Sequence, residues 1–112
     1  MQQIVDLQND PDFAALNVTL LSIAFDSQAE QLAGAALTGI VDTPMLVDAD
    51  HRVSEAYDVL QWAVATGEPG HTFILVDEQG QIAWIRDYGA PPNGVMYVPP
   101  PDLVSQITAA LN

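Results

Sequence analysis

The stretch HTFILVDEQGQIAWIR, residues His71 to Arg86, decides the fold. Its two apolar runs, His71 to Val76 and Gln81 to Arg86, carry the β-branched and aromatic side chains that suit a pleated surface. Asp77 to Gly80 (DEQG) joins them at a length typical of an antiparallel hairpin, and Gly80 suits a positive φ. The reading is two strands side by side.

Working outward toward the N-terminus, Thr66 to Gly70 (TGEPG) is loop punctuation, and Asp50 to Tyr57 reads as a short helix. Thr43-Pro44 opens a short strand, Met45 to Val47, because a residue before proline prefers extended geometry and proline is tolerated at a strand's first position. Ser27 with Glu30 three residues later is a capping box, and Ala29, Leu32, Ala33, Ala36 and Leu37 give the following helix an apolar stripe. Before it, Val18 to Phe25 (VTLLSIAF) is nearly continuously apolar, which predicts a strand covered on both faces, as in a parallel sheet. Asp10-Pro11 is an N-cap and first-turn pair for a short helix through Phe13, Ala14 and Leu16, ended by Asn17. Met1, Ile4, Val5 and Leu7 share one side of a helix that has no cap before it.

Toward the C-terminus, Tyr88 to Pro100 is a loop rich in Pro and Gly, and loops of that length without regular structure are often functional. Pro101 suits a first helical position, and Leu103, Val104, Ile107, Ala110 and Leu111 make a final amphipathic helix. Strands alternating with helices place the chain in the α/β class. Its 112 residues are room for a single domain, residues 1–112.

The charge is the most unusual number: fifteen Asp and Glu against two arginines, Arg52 and Arg86, and no lysine, for a formal net charge of -13. A nucleic-acid partner needs clustered Lys and Arg for counterion release, and an anionic bilayer would repel this chain too, so neither is expected as a partner. There are no cysteines, which removes disulfides, thiolate metal sites and a cysteine nucleophile together. No apolar run approaches the roughly 18–20 residues of a membrane span, and no signal-peptide pattern is read at the start, so a cytoplasmic location is expected.

The segments NVTLLSIAFDS, TPMLVDADHRVSEAYDV and HTFILVDEQGQIAWI, followed by a closing helix, resemble the C-terminal two-thirds of a thioredoxin-fold protein of the peroxiredoxin type, the alkyl hydroperoxide reductase/thiol-specific antioxidant family. Their order and spacing carry the resemblance, above all the helix at His51 to Tyr57 inserted before the hairpin. It implies a thioredoxin-like sheet with flanking helices, truncated at the N-terminus so that the first βα unit, with the reactive cysteine, is missing. Met1 to Leu7 resembles the later turns of the helix that the cysteine would start. The arginine that family members often place ahead of the hairpin is absent, and Pro69 sits too early for the cis-proline of thioredoxins. No catalytic residue is carried over.

That truncation would open two sheet edges, each a template for pairing with another chain, and a homo-oligomer is the expected partner. Asp48, Asp50 and His51 (DADH) gather two carboxylates and an imidazole, but an acidic turn entering a helix needs a cap, so Asp50 is expected as the N-cap, with no metal and no cofactor. His71 and Thr72, at the mouth of the sheet, are the candidate substrate-binding residues. Trp62, Trp84, Tyr88, Met96 and Tyr97 are expected to pack the long loop against the sheet, with a partner groove as the other reading.

Two functions of different class remain. The chain is the C-terminal part of a peroxiredoxin-like thiol-dependent antioxidant oxidoreductase, itself lacking the reactive cysteine, or it is a redox-inactive thioredoxin-fold module that binds a partner or self-associates.

Overall fold

Local signals place most of the elements in the computed structural model, which describes residues 2–40, 43–63, 67 and 71–112. Thr66, Glu68, Pro69 and Gly70 of the expected loop, and Met1, lie outside the described residues. The chain divides into two compact units, Met1–Tyr57 and Asp58–Asn112.

In the first unit, α1 (Gln2–Gln8) buries Leu7 and, beside it, Gln3. Asp10 accepts a hydrogen bond from the Phe13 N–H at 2.8 Å and caps α2 (Pro11–Ala15), and Asn17 turns the chain out of it at φ 59°. Here the expected cap, proline and stop all fall where the sequence puts them.

The strand read over Val18 to Phe25 is much shorter. β1 is Ser22–Ala24, paired in parallel with β2 (Met45–Val47), and Leu21 and Ile23 are 52% and 47% exposed rather than covered. A ladder extends only as far as its partner does. Pro44 lends its carbonyl to the Ser22 N–H (3.0 Å) but has no N–H to return, and at the other end the chain turns away after Asp48 N–H reaches the Ala24 carbonyl (2.8 Å). A three-residue β2 therefore fixes a three-residue β1.

Helix α3 (Gln28–Thr38) starts on the expected capping box: the Glu30 N–H donates to Ser27 Oγ and the Ser27 N–H donates to Glu30 Oε1, both at 3.2 Å. It ends at Gly39, whose φ of 85° needs a residue without a Cβ. Its expected apolar stripe, however, faces out: Leu32 is 62% and Leu37 88% exposed. The buried residue is Gln31, 2% exposed, which donates from Nε2 to the Leu46 carbonyl at 2.8 Å. The half-buried Gly34, Ala35 and Thr38 lie on the same side as Gln31 at helical spacing, so this is the side that α3 turns inward. Gln8 ties the start of the unit to its middle, donating to the Gly39 carbonyl at 2.9 Å.

After β2 comes α4 (Arg52–Ala56), a shorter helix than the Asp50 to Tyr57 span read from the sequence. The second unit opens on a 3-10 turn, Val59–Trp62, that the sequence did not announce. β3 (Thr72–Val76) and β4 (Ile82–Asp87) form the expected antiparallel hairpin, with Gly80 at φ 79° and Asp77 Oδ1 accepting from the N–H groups of Gln79 and Gln81. Leu75 pairs with Trp84 but Val76 with Ile82, so Ala83 is an extra residue that bulges β4. The Tyr88 to Pro100 loop is partly ordered by its own hydrogen bonds: Tyr88 N–H to the His71 carbonyl (2.9 Å) and Val95 N–H to the Tyr88 carbonyl (2.8 Å). α5 (Pro100–Leu111) begins one residue before the expected Pro101 and buries Leu103 and Ile107. Among the described residues each of the four strands keeps one edge that no strand pairs.

Ser27→Ala removes one half of the capping box and should cost about 1 kcal/mol in chemical denaturation. No change in the unfolding midpoint would mean that α3 is held by Gln31 and its neighbours alone.

Candidate functional site

Two clusters of polar and aromatic side chains stand out, one in each unit. The first follows β2. Asp48 is 3% exposed, and its carboxylate accepts from the N–H groups of Val53 (3.1 Å) and Ser54 (2.8 Å). It closes the first turn of α4 and so takes the role expected of Asp50, which is exposed, accepts from the Arg52 N–H at 3.3 Å, and pairs with the Arg52 guanidinium at 3.7 Å. The correction has a geometric cause. His51, the residue just before α4, sits at φ 64° with no side-chain cap, and this left-handed turn brings the helix start back over Asp48. The His51 ring stacks on Phe25, 3.8 Å between centroids and 12° from parallel.

Burial alone would push the Asp48 carboxyl up. The Ser54 N–H and hydroxyl, the Val53 N–H and the charge of His51 outweigh it, and the group is held below the usual carboxylate range. This is the chemistry of a stable anion inside a turn. Among the described residues no three His, Cys, Asp or Glu side chains gather as a metal ion would require.

The second cluster lies where the β3–β4 hairpin meets its loop. Strand alternation sends the neighbours His71 and Thr72 to opposite faces. Thr72 Oγ1 donates to Asp87 Oδ1 at 2.8 Å, and the other oxygen of Asp87 accepts from the Ala90 N–H at 2.8 Å. On the other face, the His71 ring meets Phe73 edge-on at 5.0 Å and Phe73 meets Tyr88 edge-on at 5.8 Å. The Arg86 guanidinium lies over the Tyr88 ring, 4.6 Å from its centroid. The two candidate substrate contacts are thus not brought together: His71 belongs to the aromatic face and Thr72 to the Asp87 face.

Of the expected aromatic set, Tyr88 packs as foreseen, Trp62 and Trp84 are half-buried, and Met96 and Tyr97 are exposed. Sequence reasoning passed over Arg86 and Asp87. The signal for both was the hairpin register, since Phe73 faces Arg86 and Thr72 faces Asp87 across the ladder.

A sequence profile of the AhpC/TSA family matches residues 2–85, more than half of the 112-residue chain. No curated protein and no solved structure matches it.

The lowered pKa of Asp48 sets a pH signature. A carboxyl held below its unfolded value, near 4 for a free Asp, stabilises the fold above that pH and loses the contribution as pH falls through the lowered value. Asp48→Asn should therefore melt below the parent chain at neutral pH, with the gap closing below about pH 4 in thermal melts followed by circular dichroism. A gap that stays constant down to about pH 2 would show that the charge of Asp48 contributes nothing.

Proposed function

The chain belongs to the AhpC/TSA family, a thioredoxin-like fold family of peroxiredoxin-type thiol oxidoreductases, and on that premise we propose that residues 1–112 are the part of such an antioxidant enzyme that follows its reactive cysteine. One juxtaposition supports the reading: the family match runs over residues 2–85, and none of the 112 residues is cysteine. Peroxide reduction by a thiol forms an S–O bond and breaks the O–O bond. Sulfur is oxidised to a sulfenic acid, and the departing alkoxide or hydroxide takes a proton. The attacking group is a thiolate, favoured by a helix N-terminus or nearby positive charge. No side chain of this chain supplies it. The role proposed for these residues is the scaffold against which a cysteine-bearing strand and helix would pack. The cytoplasm is proposed as its compartment, where thiols are kept reduced.

The test has two arms. The purified 112-residue chain should consume hydrogen peroxide no faster than a protein-free control with dithiothreitol present, and the coding sequence upstream should contain an in-frame strand pattern followed by a cysteine. Thiol-dependent turnover by the chain alone, or an upstream sequence without that cysteine, would sink the proposal. Stoichiometric oxidation of Met45 or Met96 does not count as turnover.

A second reading, a redox-inactive module that pairs with its own copy, is favoured by the β1–β2 sheet. Ile23 and its register partner Leu46 are both exposed, as is Leu21 beside them, and both strands keep an edge that no described strand pairs. Under this reading light scattering gives a dimer or larger species, more so as salt screens the charge of -13 to a Debye length of about 8–10 Å. A cooperatively folding monomer at both low and high salt removes it.

A further inference from the structure

Two open hollows in the surface of the second unit, of about 270 and 300 Å³, share the residues Arg86, Tyr88, Val98 and Asp102. Ser105 and Gln106 complete the first, whereas Val95, Tyr97 and Pro99 give the second a more apolar wall. Both open broadly to solvent and the Arg86 and Asp102 side chains in them are exposed, so a ligand here is small and held at the surface.

The charged groups that line both hollows do not neutralise each other. Of the two arginines, Arg52 pairs with Asp50, while Arg86 makes no ion pair among the described residues and only overlies Tyr88. Asp102 lines the same hollows without coming within the 4.0 Å of an ion pair with Arg86. The side chains of Asp102, Ser105 and Gln106 make no hydrogen bond among the described residues. The start of α5 contributes nothing further, because Pro100 and Pro101 carry no N–H and those of Asp102 and Leu103 are turned to the Pro99 carbonyl, at 2.9 and 3.3 Å.

A cation and an anion that line one hollow without pairing match a ligand bearing both charges. The net charge selects further. At -13 the chain repels a simple anion, and a simple cation would leave Arg86 unmatched, whereas a zwitterion approaches without net repulsion and answers both groups. The geometry points to a binding site for an apolar α-amino acid. Its carboxylate lies on Arg86, its ammonium on Asp102, and its side chain runs toward Val95 and Tyr97. The site is independent of the thiol chemistry proposed above.

Titration of the chain with L-phenylalanine, followed by backbone amide NMR, tests it against two analogues that each keep one charge, phenylacetate and phenethylamine. Phenylalanine should give saturable shifts at Arg86, Tyr88, Val98, Asp102, Ser105 and Gln106, and each analogue should bind about tenfold more weakly. Arg86→Gln and Asp102→Asn, both at exposed side chains, should each weaken phenylalanine by about tenfold while leaving distant amide shifts unchanged. Absence of saturable shifts up to about 10 mM overturns the site. So does an analogue that binds as tightly as phenylalanine, or indifference to both substitutions. The three-ligand comparison on the unaltered chain decides the matter even where a variant fails to fold.

Discussion

Two buried carboxylates with no arginine paired to them hold each half of this protein in shape. Asp48 lies just after β2 and Asp87 ends β4, and each uses both of its oxygens: for the N–H groups of Val53 and Ser54 in the first case, for the Thr72 hydroxyl and the Ala90 N–H in the second. Neither of the two arginines is spent on them: Arg52 pairs with Asp50 and Arg86 lies over Tyr88. Backbone N–H groups and hydroxyls satisfy them instead. A carboxylate left unsatisfied inside a fold costs more than a neutral group would, so the turn after each strand has to close over its Asp. Each closed turn in its place positions the next segment of chain: α4 in one case, the loop that carries Val95 and Tyr97 in the other.

The legibility of the sequence divides along the reach of the forces involved. The hairpin, the capping box at Ser27 and Glu30, and the Asp10-Pro11 start are set within a few residues, and they stand where their residue types put them. Helix α3 shows the limit. Its Ala and Leu pattern indicates one buried face, yet the side turned to β2 is the one that carries Gln31, bonded to the Leu46 carbonyl across fifteen residues of chain, and Leu32 and Leu37 lie exposed. The strand over Val18 to Phe25 was overread for the same reason: its length depends on how many residues β2 can offer, which Pro44 and the Asp48 turn restrict. In the candidate site, His71 and Thr72 attracted notice as a sequence pair. Strand alternation makes neighbours in sequence strangers in space, and the contacts that matter run across the ladder, from Phe73 to the Arg86 and Tyr88 side and from Thr72 to Asp87.

The family match divides the chain unevenly. The matched segments, residues 2–85, include both sheets but for the last two residues of β4, and α5 lies beyond them. Arg86, Asp87 and the loop after them fall just outside the match as well, and Arg86 lines both hollows together with Asp102 of α5. Shared framework and individual surface chemistry thus meet at the end of one strand.

The placement of the two arginines has a practical consequence for probing motion. Trypsin cleaves after Lys and Arg, so it has two sites in the whole chain, one at the first residue of α4 and one inside the ladder of β4. A protease needs about ten residues of extended, accessible backbone, and neither peptide bond offers that while its element is intact. Digestion therefore proceeds only through openings of α4 or of the hairpin. The ratio of the first two cuts, after Arg52 and after Arg86, reports directly which half of the molecule breathes more readily.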